Sequence, residues 1–136
     1  MRVWRLVDKE FVADAWTGQG ARIYGGRWNA PGTAVVYCSE QPALAVLEVL
    51  AGGLKAQDLQ HWVLFSADVP DAQITALPAG ATECVQAAAW LASGRLGCRV
   101  PSRVVPGNNI LLNPAAKTWN QVKLHGQTPI DPRLWS

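Results

Sequence analysis

The stretch Ala34-Val35-Val36-Tyr37-Cys38-Ser39-Glu40-Gln41-Pro42-Ala43-Leu44-Ala45-Val46-Leu47-Glu48-Val49-Leu50-Ala51-Gly52-Gly53 reads as a strand running into a helix. Residues 34–38 are apolar and β-branched, the pattern of a buried strand. Ser39-Glu40-Gln41-Pro42 supplies a polar N-cap followed by a proline in the first turn. The helix then continues from Ala43 to Leu50, and Gly52-Gly53 ends it. Working outward, Val3–Val7 and Trp62–Val69 read as strands, and Glu83–Ala92 reads as an alanine-rich helix closed by Ser93-Gly94. Arg99–Val105, Asn109–Leu112 and Trp119–Leu124 read as further short strands, separated by Pro106-Gly107 and Asn113-Pro114. Asp8–Gly26 is a polar, glycine-bearing segment set with Phe11, Trp16 and Tyr24, and Gly25–Gly32 is a loop built on Arg27-Trp28. These elements predict an α+β fold of several short strands and two or three helices, in one domain spanning 1–136.

Bulk properties narrow the function classes. Of 136 residues, 49% are hydrophobic and 16% charged, which supplies a core and excludes a disordered chain. A net charge of +2 without a basic run gives no electrostatic reason for a nucleic-acid or membrane partner. The start lacks a long apolar segment, and Ala43–Ala51 is too short to span a bilayer, so a cytoplasmic location is expected. Cys38, Cys84 and Cys98 form no CxxC pair and read as small buried hydrophobes in a reducing compartment, with a cysteine nucleophile as the alternative. His61 and His125 lack ligand spacing to any cysteine, so no metal site is expected.

Five positions carry candidate chemistry. Glu48 is the lone carboxylate in an otherwise apolar helix. It either marks that helix's solvent face or is a buried acid with a task. Arg27 follows two glycines that let main chain approach a ligand, and arginine grips phosphate oxygens in bidentate fashion; a loop arginine stacked on Trp28 is the plainer reading. Tyr37, near the end of the strand that enters the helix, is a core tyrosine or shares one side of a cleft with Glu48. Arg5 sits in an apolar strand, where an outward-facing position of an alternating pattern would also explain it. Ser102 precedes an apolar run and serves as a ligand donor or as an ordinary edge-strand serine. No GxSxG, Walker A loop, GxGxxG or HExxH occurs, which sets those chemistries aside.

Taken in order, Gly26-Arg27-Trp28-Asn29-x-x-Gly32, Val36-Tyr37, Ala43-Leu44-Ala45-x-x-Glu48, Pro101-Ser102-x-Val104-Val105-Pro106 and Asn109-x-Leu111-Leu112-Asn113-Pro114 resemble the RES domain family. The closing Asp131-Pro132-Arg133-Leu134 is similar to family endings. The resemblance implies a fold related to ADP-ribosyltransferase toxins and a role as the toxin of a toxin–antitoxin pair. It implies cleavage of the nicotinamide–ribose bond of NAD by water or phosphate, or transfer of ADP-ribose to a specific protein. NAD is then a consumed substrate, phosphate a possible co-substrate, and no cofactor is needed. Carried over by position, Arg27, Glu48 and Ser102 match the residues that name the family, Tyr37 its aromatic position and Arg5 its first-strand arginine. Trp28 and Asn113 join the implied NAD contacts. Leu6 stands where many members carry an aromatic residue after that first arginine. The implied partner is an antitoxin with an Xre-type helix-turn-helix domain, and a homodimer is implied as well. A non-catalytic binding module and a ribonuclease toxin are the competing classes. The presence of Arg27, Tyr37, Glu48 and Ser102 weighs against the first, and the near-neutral charge against the second.

Overall fold

A computed structural model describes residues 1–77 and 83–136, without the side chains of 83–86, so the burial expected of Cys84 lies outside the described residues. Seven strands form one mixed sheet: β1 (Arg2–Asp8), β2 (Val36–Ser39), β3 (Trp62–Asp68), β4 (Ile74–Ala76), β5 (Gly97–Pro101), β6 (Asn108–Leu112) and β7 (Lys123–Thr128). Their order is β4-β5-β6-β2-β1-β3-β7, antiparallel throughout except for the β4–β5 pair. Three helices accompany them: α1 (Gln19–Tyr24), α2 (Pro42–Ala51) and α3 (Glu83–Ala92). The architecture is α+β.

The sheet is unevenly knitted. β1 pairs with β3 along all seven of its residues, from Arg2↔Asp68 to Asp8↔Trp62. Toward β2 it is paired only at Trp4↔Ser39. The two strands therefore diverge beyond Trp4, and the gap is the feature that positions the site. The sheet's apolar positions supply separate cores. Val3, Val36, Cys38, Ala67, Ile110 and Leu112 pack in one cluster, whereas Trp28, Val35, Cys98, Val100 and Leu111 pack with Ala87 and Trp90 of α3 in another. Ala45 anchors α2 on Leu6, Leu59 and Leu64, with Ile130 and Trp135 returning to the same cluster.

Several elements depart from the sequence expectation. α2 starts at Pro42 with Gln41 as N-cap, and no side chain caps it. Ser39 instead stays in β2 and donates to Asn109 Oδ1 at 2.8 Å. β5 ends at Pro101, four residues before the expected end, because Ser102 N–H turns back to Gly107 C=O at 3.0 Å and closes a turn. Trp119–Gln121 is a 3-10 turn, and the strand begins only at Lys123. Trp119 and Val122 both pack on the core, and their three-residue spacing suits the 3-10 period. Within the polar segment, α1 forms after Gly18, whose φ of +73° and the 2.8 Å clearance from an added Cβ to Val35 N both demand glycine. No described helix is long and apolar enough to cross a membrane.

Candidate active site

α2 lies over the point where β1 and β2 part, and Glu48 in its second turn faces that gap. Only Leu44 and Ala45 of this helix are buried, and Leu47 is exposed, so Glu48 occupies neither a solvent face nor a sealed core. It is half-buried on the wall of a cleft of about 170 Å³ that Arg5, Tyr37, Ser39, Val49 and Asn109 also line.

The carboxylate is held through one oxygen. Ser102 O–H donates to Glu48 Oε1 at 2.6 Å, and Asn109 Nδ2 donates to the same atom at 2.9 Å. Ser102 is itself oriented by Val104 N–H, which donates to its hydroxyl at 3.0 Å. Asn109 is oriented by Ser39, so a chain Ser39–Asn109–Glu48 runs from strand to helix. Glu40 braces the same turn, accepting from Asn108 N–H at 3.0 Å. Two donors converging on one oxygen fix the direction of the carboxylate. Glu48 Oε2 takes no hydrogen bond among the described residues, which leaves one oxygen for a ligand.

Arg5 fills the gap between the diverging strands. Its Nε donates to Ala15 C=O at 2.7 Å and its Nη1 to Tyr37 C=O at 2.8 Å. It forms no ion pair among the described residues. Burial pulls its pKa below the ordinary arginine value, with Cys38 partly offsetting that, yet a guanidinium stays charged at neutral pH. A half-buried cation without a counter-ion on a cleft wall is suited to an anionic ligand.

The Arg27 loop is built by Tyr37 and Asn29. Tyr37 O–H donates to Asn29 Oδ1 at 2.6 Å and accepts from Trp28 N–H at 3.0 Å. The Asn29 amide reaches the carbonyls of Ala21, Ala30 and Thr33. Gly26 must be glycine, because a Cβ there would stand 2.6 Å from Tyr37 Oη. Arg27 lies over the Trp28 ring, 4.8 Å from its centroid, and donates from Nη1 to Pro101 C=O at 3.1 Å. Its pKa is lowered by burial, against the raising influence of Glu48 and Tyr37. The loop thus meets the chain immediately before Ser102, though Arg27 itself does not line the cleft.

Two candidates stand elsewhere. Trp28 is 3% exposed and packs in the α3 cluster, so it serves as the platform under Arg27 and offers no face to the cleft. Asn113 is buried beyond β6, where its Oδ1 accepts from Ala115 N–H at 3.0 Å and shapes the turn. For Cys38 and Cys98, the two cysteines whose side chains are described, the environment disfavours a nucleophile. Cys38 lines the cleft floor, but burial pushes its thiol up to about 12, and Cys98 is pushed up to about 11. Among the described residues no three His, Cys, Asp or Glu groups converge to hold a metal ion.

Sequence reasoning gives Asn109 and Asn29 no role of their own and Ser39 only a place in the helix N-cap. The only signal for Asn109 was a polar pair at the head of an apolar strand. Its role depends on the register Ser39↔Asn109 between β2 and β6, which joins residues 70 apart.

Comparison with known proteins gives a consistent picture. The RES domain family model matches residues 2–131. A protein named Toxin Res from Yersinia enterocolitica is 38% identical, with 98% of this chain and 99% of that one covered. A Toxin Res from Photorhabdus laumondii is 36% identical over 89% of this chain and 86% of its own length. The Prs ADP-ribosylating toxin of a Sphingobium species is 36% identical, covering 82% of this chain and 81% of that one. In fold, the chain is similar to the M. tuberculosis MbcT–MbcA toxin–antitoxin complex, with a TM-score of 0.73 at 22% identity over 98% of this chain and 86% of that one.

Proposed function

The chain belongs to the RES domain family, and on that premise we propose that it is the toxin of a toxin–antitoxin pair and cleaves the nicotinamide–ribose bond of NAD. The observation that carries the reading is Glu48: Ser102 and Asn109 fix one carboxylate oxygen, the other takes no hydrogen bond among the described residues, and the cleft it lines also holds Tyr37 and Arg5, which has no ion-pair partner among the described residues.

The chemistry follows from those groups. The C–N bond breaks with its electron pair passing to the pyridinium nitrogen, so nicotinamide leaves neutral and the ribose becomes an oxocarbenium ion. The Glu48 carboxylate, already oriented, stabilises that developing positive charge and holds a ribose hydroxyl. Arg5 and Arg27 neutralise the pyrophosphate. The Tyr37 ring packs on the nicotinamide and limits water, while Ser102 keeps the carboxylate in place. Attack by water with loss of a proton gives ADP-ribose; attack by phosphate gives the 1-phosphate of ADP-ribose.

One relative's name favours a second reading, transfer of ADP-ribose to a protein side chain. The same cation would then be captured by that acceptor. The likeness to a toxin–antitoxin complex supports an antitoxin partner, which the family reading makes an Xre-type helix-turn-helix protein bound to a homodimer of this chain.

Expression in a bacterial host tests the proposal. Wild-type chain should arrest growth and lower cellular NAD, whereas Glu48→Gln at equal abundance should do neither. Growth arrest with undiminished NAD and a newly ADP-ribosylated protein would establish the second reading instead.

A further inference from the structure

A hollow of about 330 Å³ opens between α3 and the β4–β5 end of the sheet. It shares no residue with the cleft of Glu48. Leu77, Ala89 and Cys98 give it a mostly apolar wall, and its volume lies at the small end of the range for small-molecule sites.

The polar groups on this wall are of one kind. Thr75 O–H donates to Gly97 C=O at 3.3 Å and Ser93 O–H donates to Trp90 C=O, so both hydroxyl protons are committed. Trp90 is 6% exposed, and its indole Nε1–H is buried with no acceptor among the described residues. An indole nitrogen only donates, and a buried donor left without a partner calls for one. Arg95 is exposed and is the one charged side chain among the described residues that line the hollow. It makes no hydrogen bond or ion pair among the described residues. The wall therefore offers two uncommitted donors, one of them cationic, and no carboxylate.

We propose that this hollow is a binding site for a small apolar monocarboxylate. One carboxylate oxygen accepts from Trp90 Nε1–H, the Arg95 guanidinium pairs with the other, and the hydrocarbon part lies along Leu77, Ala89 and Cys98. A neutral ligand would leave the guanidinium unanswered, and a cationic one would be repelled by it. Burial of the hydrocarbon supplies affinity, while the two donors set orientation. The site is independent of which bond the Glu48 cleft breaks.

Titration of the isotope-labelled chain with octanoate, followed by nuclear magnetic resonance at the indole N–H of Trp90, tests the assignment without relying on turnover. That resonance should move downfield and saturate, because an N–H that gains an acceptor is deshielded. Octanamide keeps the acyl chain and loses the charge, and it should bind about fivefold more weakly. Arg95→Gln should weaken octanoate about fivefold and leave octanamide unchanged. Trp90→Phe keeps an aromatic ring, removes the donor and should also weaken octanoate. Arg95 is exposed, so its variant leaves the core intact and decides the matter if Trp90→Phe does not fold. A Trp90 resonance that ignores octanoate, or equal affinity of wild type for octanoate and octanamide, would overturn the assignment. Undiminished octanoate binding by Arg95→Gln would overturn it as well.

Discussion

Glu48 receives both of its hydrogen bonds on one oxygen, and that asymmetry makes Asn109 testable. Asn109→Ala removes the 2.9 Å donor and leaves Ser102 as the sole anchor. The loss of one preorganised donor, here acting through the carboxylate, should lower kcat by roughly one to two decades, somewhat less than the loss of a direct transition-state contact. Asn109→Asp is more informative. It retains the acceptor for Ser39 but replaces the amide donor with an oxygen that repels Glu48 Oε1. The value of kcat should therefore fall further than in Asn109→Ala, while KM for NAD changes little. Equal losses in the two variants would show that Asn109 shapes the turn and does not govern the carboxylate. Gly26 offers a steric counterpart. Gly26→Ala drives a methyl into the Tyr37 hydroxyl, and overpacking of this kind costs about 1–3 kcal/mol, measurable as a lower midpoint of denaturation.

At the scale of elements, the strands and helices legible in the sequence are those with a strong local pattern. β1, β2, β3, β6, α2 and α3 each carry a continuous apolar or alanine-rich run that predicts them without reference to distant residues. The elements that escaped are fixed by partners far along the chain. β4 is three residues long and exists by pairing in parallel with β5, and the length of β5 is limited by the Ser102–Gly107 turn. β7 is mostly exposed, so it lacks the apolar alternation that reveals a strand, and its place is set by pairing with β3. Cross-strand chemistry holds that end. Arg2 Nε donates to Asp68 Oδ1 at 3.0 Å, and His125 meets Asp68 Oδ2 at 2.8 Å, joining β1, β3 and β7. Hydrogen bonds from Arg2 and then His125 hold the Asp68 carboxyl far below its ordinary value of 3.8. A lowered carboxylate pKa contributes stability that is complete above the ordinary value and lost as the pH falls toward the lowered one. Asp68→Asn should therefore be less stable than wild type at neutral pH, with the difference shrinking as the medium is acidified below pH 3.8. A difference independent of pH would mean the pairing contributes through shape alone. The buried strands give a larger effect: Leu111→Ala, at a fully buried β6 position, should cost about 2–5 kcal/mol in chemical denaturation.

For the whole molecule, the site exists because the sheet parts between β1 and β2 while α2 spans the opening. The sequence showed the residues that meet there more readily than the opening itself. Glu48 and Ser102 are 54 residues apart and touch, and Tyr37 lines the same cleft, whereas Trp28 and Asn113 turn inward to hold the frame. Motif order carried those residues together but could not tell contact from support. That distinction comes from burial and register. The central claim is that this cleft breaks the nicotinamide–ribose bond, and nicotinamide release from NAD by the purified chain tests it most directly. The measurement is made with and without phosphate, beside Glu48→Gln of matched thermal stability. Release by the wild type, reduced two to three decades in the variant, is the predicted result, and acceleration by phosphate would identify phosphorolysis. Equal release by both proteins, or none from folded wild type, would contradict the account.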